Sequence, residues 1–209
     1  MNKSSFSLLA VGSLVFAGTA GADYTGLSIS EGVDSAYGTT YHIYANMADG
    51  DRLDAVYGDG DNALTIDGSF YQNAFGDNTS AGINPALIAV FPSLAFDSWV
   101  TIGLEDMTGN ALANIGIDWT GFMGGGGIST ADGAWYVTPD DAQGDAVGGQ
   151  VLIAQLTVND GNSPTGFVNL QGKLADGSSW SAVNQTWVPA PSVLALLGLA
   201  GLAGRRRRH

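Results

Sequence analysis

Val151-Leu152-Ile153-Ala154-Gln155-Leu156-Thr157-Val158 is the stretch that decides the fold. It is rich in β-branched and apolar residues and alternates with period two. Val151, Ile153, Gln155 and Thr157 point one way, and Leu152, Ala154, Leu156 and Val158 form the predicted core face. The turn-forming Asp160-Gly161 follows. The same grammar holds on both sides of it. Strand-like runs are predicted at 41–47, 53–57, 63–66, 69–72, 98–104, 113–119, 135–138, 150–158, 167–174 and 180–183. Asp-Gly dipeptides begin at Asp49, Asp59, Asp67, Asp132, Asp160 and Asp176. Glycine supplies positive φ at such turns, and aspartate bonds its own backbone. Many short strands without βαβ alternation predict an all-β fold, an antiparallel β-sandwich of jelly-roll-like type.

One short helix is expected, with Asn84 as cap, Pro85 at its first position and residues 86–91 following until Pro92. Residues 75–84 and 121–133 read as loops. The second contains Gly124-Gly125-Gly126-Gly127, whose entropy cost disfavours packing. No lysine or helix start follows that run, so it is not a phosphate cradle.

The composition narrows the function classes. The chain has 209 residues, 31 glycines, no cysteine and a formal charge of −13. The missing cysteines exclude a disulfide scaffold, a cysteine-ligated metal and a cysteine nucleophile. All twenty acids lie between Asp23 and Asp176, and only Arg52 and Lys173 oppose them there, a net −18 for the central segment. Such a body repels phosphate, so no nucleic-acid partner is expected.

The remaining bases sit at the two ends. Lys3, the apolar run 6–17 and Ala20-Gly21-Ala22 before Asp23 form the pattern of a cleaved secretory signal peptide. At the other end, Val188-Pro189-Ala190-Pro191-Ser192 leads into an apolar run, then Arg205, Arg206, Arg207, Arg208 and His209. Residues 190–204 would span roughly 22 Å as a helix, against a hydrocarbon core of about 30 Å. This predicts a short membrane helix starting near Pro191 or Ser192, since proline can begin a helix but not continue it. The arginines would stay cytoplasmic and the body outside. The organisation expected is therefore a signal peptide over 1–22, an acidic β domain over 23–186 and a C-terminal signal over 187–209.

The C-terminal layout resembles the PEP-CTERM sorting signal of exosortase substrates in Gram-negative bacteria. The parts that carry the resemblance are the proline motif, the short apolar helix and the terminal basic cluster. Ala190 stands where the family's typical motif has glutamate. The resemblance covers residues 187–209 alone. It implies recognition by a membrane sorting protease, removal of the tail, and delivery to the cell surface or exopolysaccharide matrix.

The body holds few candidates for chemistry. His42 is its one histidine, in Tyr41-His42-Ile43-Tyr44, and no Gly-x-Ser-x-Gly elbow is present. A structural or adhesive protein, not an enzyme, is the expectation. A polysaccharide hydrolase would need two carboxylates facing across a cleft. Asp49, Asp51, Asp54, Asp59, Asp61 and Asp67 form the densest acid cluster, with hard oxygen ligands of the kind calcium prefers. Of these, Asp49, Asp51, Asp59, Asp61 and Asp67 are the candidate ligands, and turn-forming or solvated acids are the alternative reading. Trp99, Trp119, Trp135 and Trp180 are candidates for an exposed platform that stacks on polysaccharide. Core packing is the alternative for them, and a membrane-interface role for Trp187.

Overall fold

The computed structural model describes residues 24–187. The expected signal segment with Ala20, Ala22 and Asp23 lies outside the described residues. So do the motif Val188, Pro189, Ala190, Pro191 and Ser192 and the cluster Arg205, Arg206, Arg207 and Arg208. Among the described residues no helix is long and apolar enough to cross a membrane.

The described chain is mostly β. Its strands are β1 (Gly26–Ser35), β2 (Gly38–Asn46), β3 (Arg52–Tyr57), β4 (Leu64–Asp67), β5 (Trp99–Val100) and β6 (Ala113–Ile115). They continue with β7 (Ile128–Thr130), β8 (Ala134–Tyr136), β9 (Gln150–Val158), β10 (Thr165–Lys173) and β11 (Ser179–Gln185). One sheet has the order β1-β2-β9-β5. The other runs β6-β8-β3-β10-β4-β7, with β11 also paired to β10. All of these pairings are antiparallel.

The core lies between the sheets, as in a sandwich. From β2 come Tyr41, Ile43 and Ala45; from the larger sheet come Leu53, Val56, Leu64, Ile66, Trp135, Val168 and Leu170. Most flank a less buried neighbour, as period-two side chains do when one sheet face is covered; in β3 a register shift against β10 sets Leu53 and Val56 three residues apart. Full burial of a large apolar side chain contributes about 1.5–3 kcal/mol.

Strand β9 matches its predicted bounds but not its predicted face. Val158, Leu156 and Ala154 enter the main core as expected. Ile43 pairs with Ala154 and Tyr44 with Leu152, so Ile153 is one residue too many for the ladder. This bulge turns the alternation over. Ile153 and Val151 then join the main core, while Leu152 crosses to a second cluster with Ile83, Leu94 and Trp99. The reason is that the 80–96 region folds onto the outer face of β9. That region holds α1 (Pro85–Ile88) and a 3-10 turn at Pro92–Phe96. Both faces of the strand are covered, so the side chains from Val151 to Val158 are all buried, and the polar ones, Gln155 and Thr157, are hydrogen-bonded.

Several other expectations shift. The helix begins as predicted, with the Asn84 side chain accepting from the Ala86 amide at 3.0 Å, but ends at Ile88 rather than at 91. Residues 69–72 form no strand; Phe70 makes a single bridge to Val158. The run 98–104 keeps ladder geometry at Trp99–Val100 alone and turns away at Gly103, whose φ of +78° suits only glycine. The run 113–119 likewise stops at Ile115, before Gly116 with φ +70°. Two strands were not predicted. β1 is half exposed and half partly buried and carries little apolar signal, and β7 lies inside the segment read as a glycine loop. That segment also holds a short helix, α2 (Thr120–Met123), which places Phe122 in the core.

Trp135 sits at the centre of the packing, fully buried, with its indole N–H donating to the Thr101 carbonyl at 3.0 Å. Replacing it with alanine removes the ring and leaves a buried carbonyl without its donor. Trp135→Ala is expected to destabilise the fold by about 3–5 kcal/mol, read as a lowered urea midpoint.

Candidate functional site

The tryptophans do not form an exposed platform. Trp99, Trp135 and Trp180 are buried and Trp119 is half-buried. The polar edges of Trp119, Trp135 and Trp180 are bonded internally. The Trp180 N–H donates to the Arg52 carbonyl at 3.1 Å and the Trp119 N–H to Asn114 Oδ1 at 3.1 Å. An indole offers a large apolar area with one donor, and the sandwich uses both inside. Trp187 is also a core residue, 2% exposed, bonded to the Pro164 carbonyl at 2.8 Å. Its side chain therefore packs with the β domain.

The acid cluster is spread over separate turns. Asp59 accepts from the amides of Asp61 and Asn62 at 3.0 and 2.8 Å, a local Asx turn. Asp49 accepts from the Gly149 amide at 2.8 Å, and buried Asp51 from the Ala175 amide at 2.9 Å. Asp61 and Asp67 are exposed. Among the described residues no group of three or more histidines, cysteines or acids is placed to hold a metal ion. Asp59 thus closes its own turn, whereas Asp49 and Asp51 accept from amides 100 and 124 residues away in sequence, and Asp51 Oδ2 is buried without a hydrogen-bond partner.

His42 is structural in geometry. Its Nε2 lies 3.0 Å from Gln155 Oε1, while Gln155 Nε2 donates to the carbonyls of Ala95 and Asp97 at 3.1 and 2.8 Å. With its amide nitrogen committed, Gln155 must accept from His42, which fixes the proton on Nε2.

A groove of about 600 Å³ lies on the outer face of the larger sheet. It runs across β8, β3, β10 and β11. The register explains it. Tyr136, Ala55, Gln171 and Ser181 pair in one row across the four strands. Tyr57 stands opposite Ala134 in the next row, and Lys173 opposite Ser179 on the other side. Tyr57 and Tyr136 flank the core residues Val56 and Trp135 in sequence, so alternation turns both phenols outward. Small residues at Ala55, Ala134 and Gly172 keep the floor low beside them. The Tyr57 phenol is pushed above its ordinary range by burial first and by the charge of Asp59 second, so it stays a hydrogen-bond donor.

Arg52 shapes the rim. Its guanidinium donates to Asp54 Oδ1 at 2.6 Å, to Asp145 Oδ1 at 3.3 Å, and to the carbonyls of Thr138 and Asp141 at 3.1 and 2.6 Å. A rigid fork of donors is suited to such a junction. It ties the 138–145 loop to β3 and occupies Asp54, the one carboxylate in the groove lining. Lys173, the other base, makes no ion pair among the described residues.

Tyr57, Tyr136 and Lys173 were not singled out from the sequence. The signal was present: both tyrosines sit out of phase with a core residue, and Lys173 is one of two bases in a body of twenty acids.

Comparison with protein-family models, curated proteins and solved structures finds no match.

A buried acid lies away from the groove. Asp97 is fully buried and accepts from the amides of Asn73 and Asp77 at 2.6 and 3.1 Å. Burial pushes its carboxyl up from 3.8 to about 6; amide bonds from Asn73, Asp77 and Ser98 oppose this, and the charge of Asp77 adds to it. A raised folded value means the native state binds the proton more tightly. Its contribution is full below about pH 3.8 and is lost as pH rises through about 6. The native protein is expected to lose stability across that window relative to Asp97→Asn, whose curve is flatter. Urea midpoints at a series of pH values check the difference in slope.

Proposed function

We propose that the protein is an exported cell-surface or exopolysaccharide-matrix protein with a structural or adhesive role. Its jelly-roll-like sandwich is the presenting body, and a cleavable C-terminal signal sorts it through a membrane protease of exosortase type. The observation that carries this reading is the charge partition. The central segment is −18, and five of the seven bases sit in the two terminal segments. Removal of both ends leaves an acidic body that stays soluble and repels its own copies and other polyanions.

The architecture supports the same reading. Early strands pair with late ones, β2 with β9 and both β3 and β4 with β10, so the chain doubles back on itself as a rolled antiparallel hairpin does. The two ends of the body meet. Tyr24 donates to Gln185 Oε1 at 3.2 Å and stacks on Trp180 with ring centroids 5.2 Å apart. Both terminal segments therefore leave from one side of the fold. In this reading the turn acids attract divalent cations diffusely and do not cage one. Millimolar calcium is then expected to leave the thermal midpoint unchanged, and a clear upward shift would indicate a specific ion site.

The sorting claim has a direct test. Mass spectrometry of surface material is expected to show a chain that begins at Asp23 and lacks residues 205–209. The double variant Pro189→Ala, Pro191→Ala is expected to keep its tail and remain in the membrane fraction. Surface protein that still carries Arg205, Arg206, Arg207 and Arg208 would overturn the reading.

A further inference from the structure

The groove across β8, β3, β10 and β11 has a lining unlike the rest of the surface. One acid and one base line it, Asp54 and Lys173, so it is close to neutral inside a strongly acidic body. Its polar groups are also uncommitted. Among the described residues the side chains of Tyr57, Tyr136, Gln171, Lys173, Ser179 and Ser181 make no hydrogen bond to the protein; all the side-chain bonding at this rim runs through Arg52 and Asp54. Gln143, Gln155, Ser80 and Ser98, by contrast, are tied into the fold.

We propose that this groove binds a neutral carbohydrate chain. Tyr57 and Tyr136 present ring faces to sugar C–H groups, and Gln171, Lys173, Ser179 and Ser181 exchange hydrogen bonds with its hydroxyls. Three features select this occupant. The floor of alanine and glycine beside two phenols makes a shallow slot for a sugar ring. The surrounding groups mix donors and acceptors, which matches hydroxyls that are both. The charge pattern disfavours the nearest competitor. A polyuronate would bring one negative charge per residue towards a −18 body, with Lys173 as its single unpaired partner. A neutral chain meets no such repulsion. An apolar peptide would leave six polar side chains without partners.

The inference rests on the surface or matrix reading for where such a chain would be met, and on the groove alone for the binding. The test is retention of the full chain, held in a sugar-free detergent, on an array of neutral hexose and N-acetylhexosamine oligosaccharides beside polygalacturonate and alginate. Native protein is expected to be retained by neutral glycans and not by the uronates. The double variant Tyr57→Ala, Tyr136→Ala is expected to weaken retention at least about tenfold, while the Tyr→Phe pair keeps most of it. Thermal melting of each variant separates lost binding from lost fold. Retention by the uronates alone, no retention by any neutral glycan, or unchanged retention by a folded alanine pair would each overturn the proposal. An unprocessed tail in surface material would instead overturn the sorting reading and leave a positive array result standing.

Discussion

Strand β9 is covered on both faces, and that constraint organises the molecule. It pairs with β2 on one edge and β5 on the other, and it borders two apolar clusters. A regular strand sends alternate side chains to opposite faces, so an unbroken β9 would fix one set of residues on each side. The bulge at Ile153 moves Ile153 and Val151 to the main core and leaves Leu152 for the outer cluster. The polar members of the strand show the same pressure. Gln155 and Thr157 are buried, yet Gln155 is bonded to His42, Ala95 and Asp97, and Thr157 to Thr40. A buried polar group without such partners would cost about 1–3 kcal/mol.

The sequence made some of this readable and hid the rest for physical reasons. Runs rich in β-branched and apolar residues at 150–158 and 167–174 located β9 at its observed bounds and β10 to within two residues, because long strands bounded by turn residues carry a strong local signal. The Asn84-Pro85 start of α1 was equally legible, since a side-chain cap and a first-turn proline are local signals. β1 was not legible. It sits at a sheet edge with much of its length exposed, so little apolar patterning marks it. β7 was masked by the glycines before it. The Ile153 bulge depends on what covers the far side of the strand, which no local window contains.

The candidate site was less legible than the fold. Tryptophan count and acid density were the loud signals, and both belong to structure. The indoles fill the core or cap carbonyls, and the acids close turns or accept from distant amides. The groove is made of quieter residues whose importance comes from register. Tyr136, Ala55, Gln171 and Ser181 are distant in sequence and become one row only when four strands align. Arg52 shows the same dependence. One of two bases in the body, it is used to hold a loop, which leaves Lys173 as the cation that faces the groove.

The meeting of Tyr24 with Gln185, and the seating of Trp187 beneath Pro164, have a mechanical meaning. If the chain beyond residue 187 is held, as the proposed sorting signal implies, the pull reaches the body at one point, next to where residue 24 enters it. The load passes from the Trp187 side chain and β11 into β10, the strand that also carries β3 and β4. Tension thus enters the best-connected strand of the larger sheet instead of a free edge. The groove lies on that same sheet, so such a pull and an occupant of the groove would act on one set of strands.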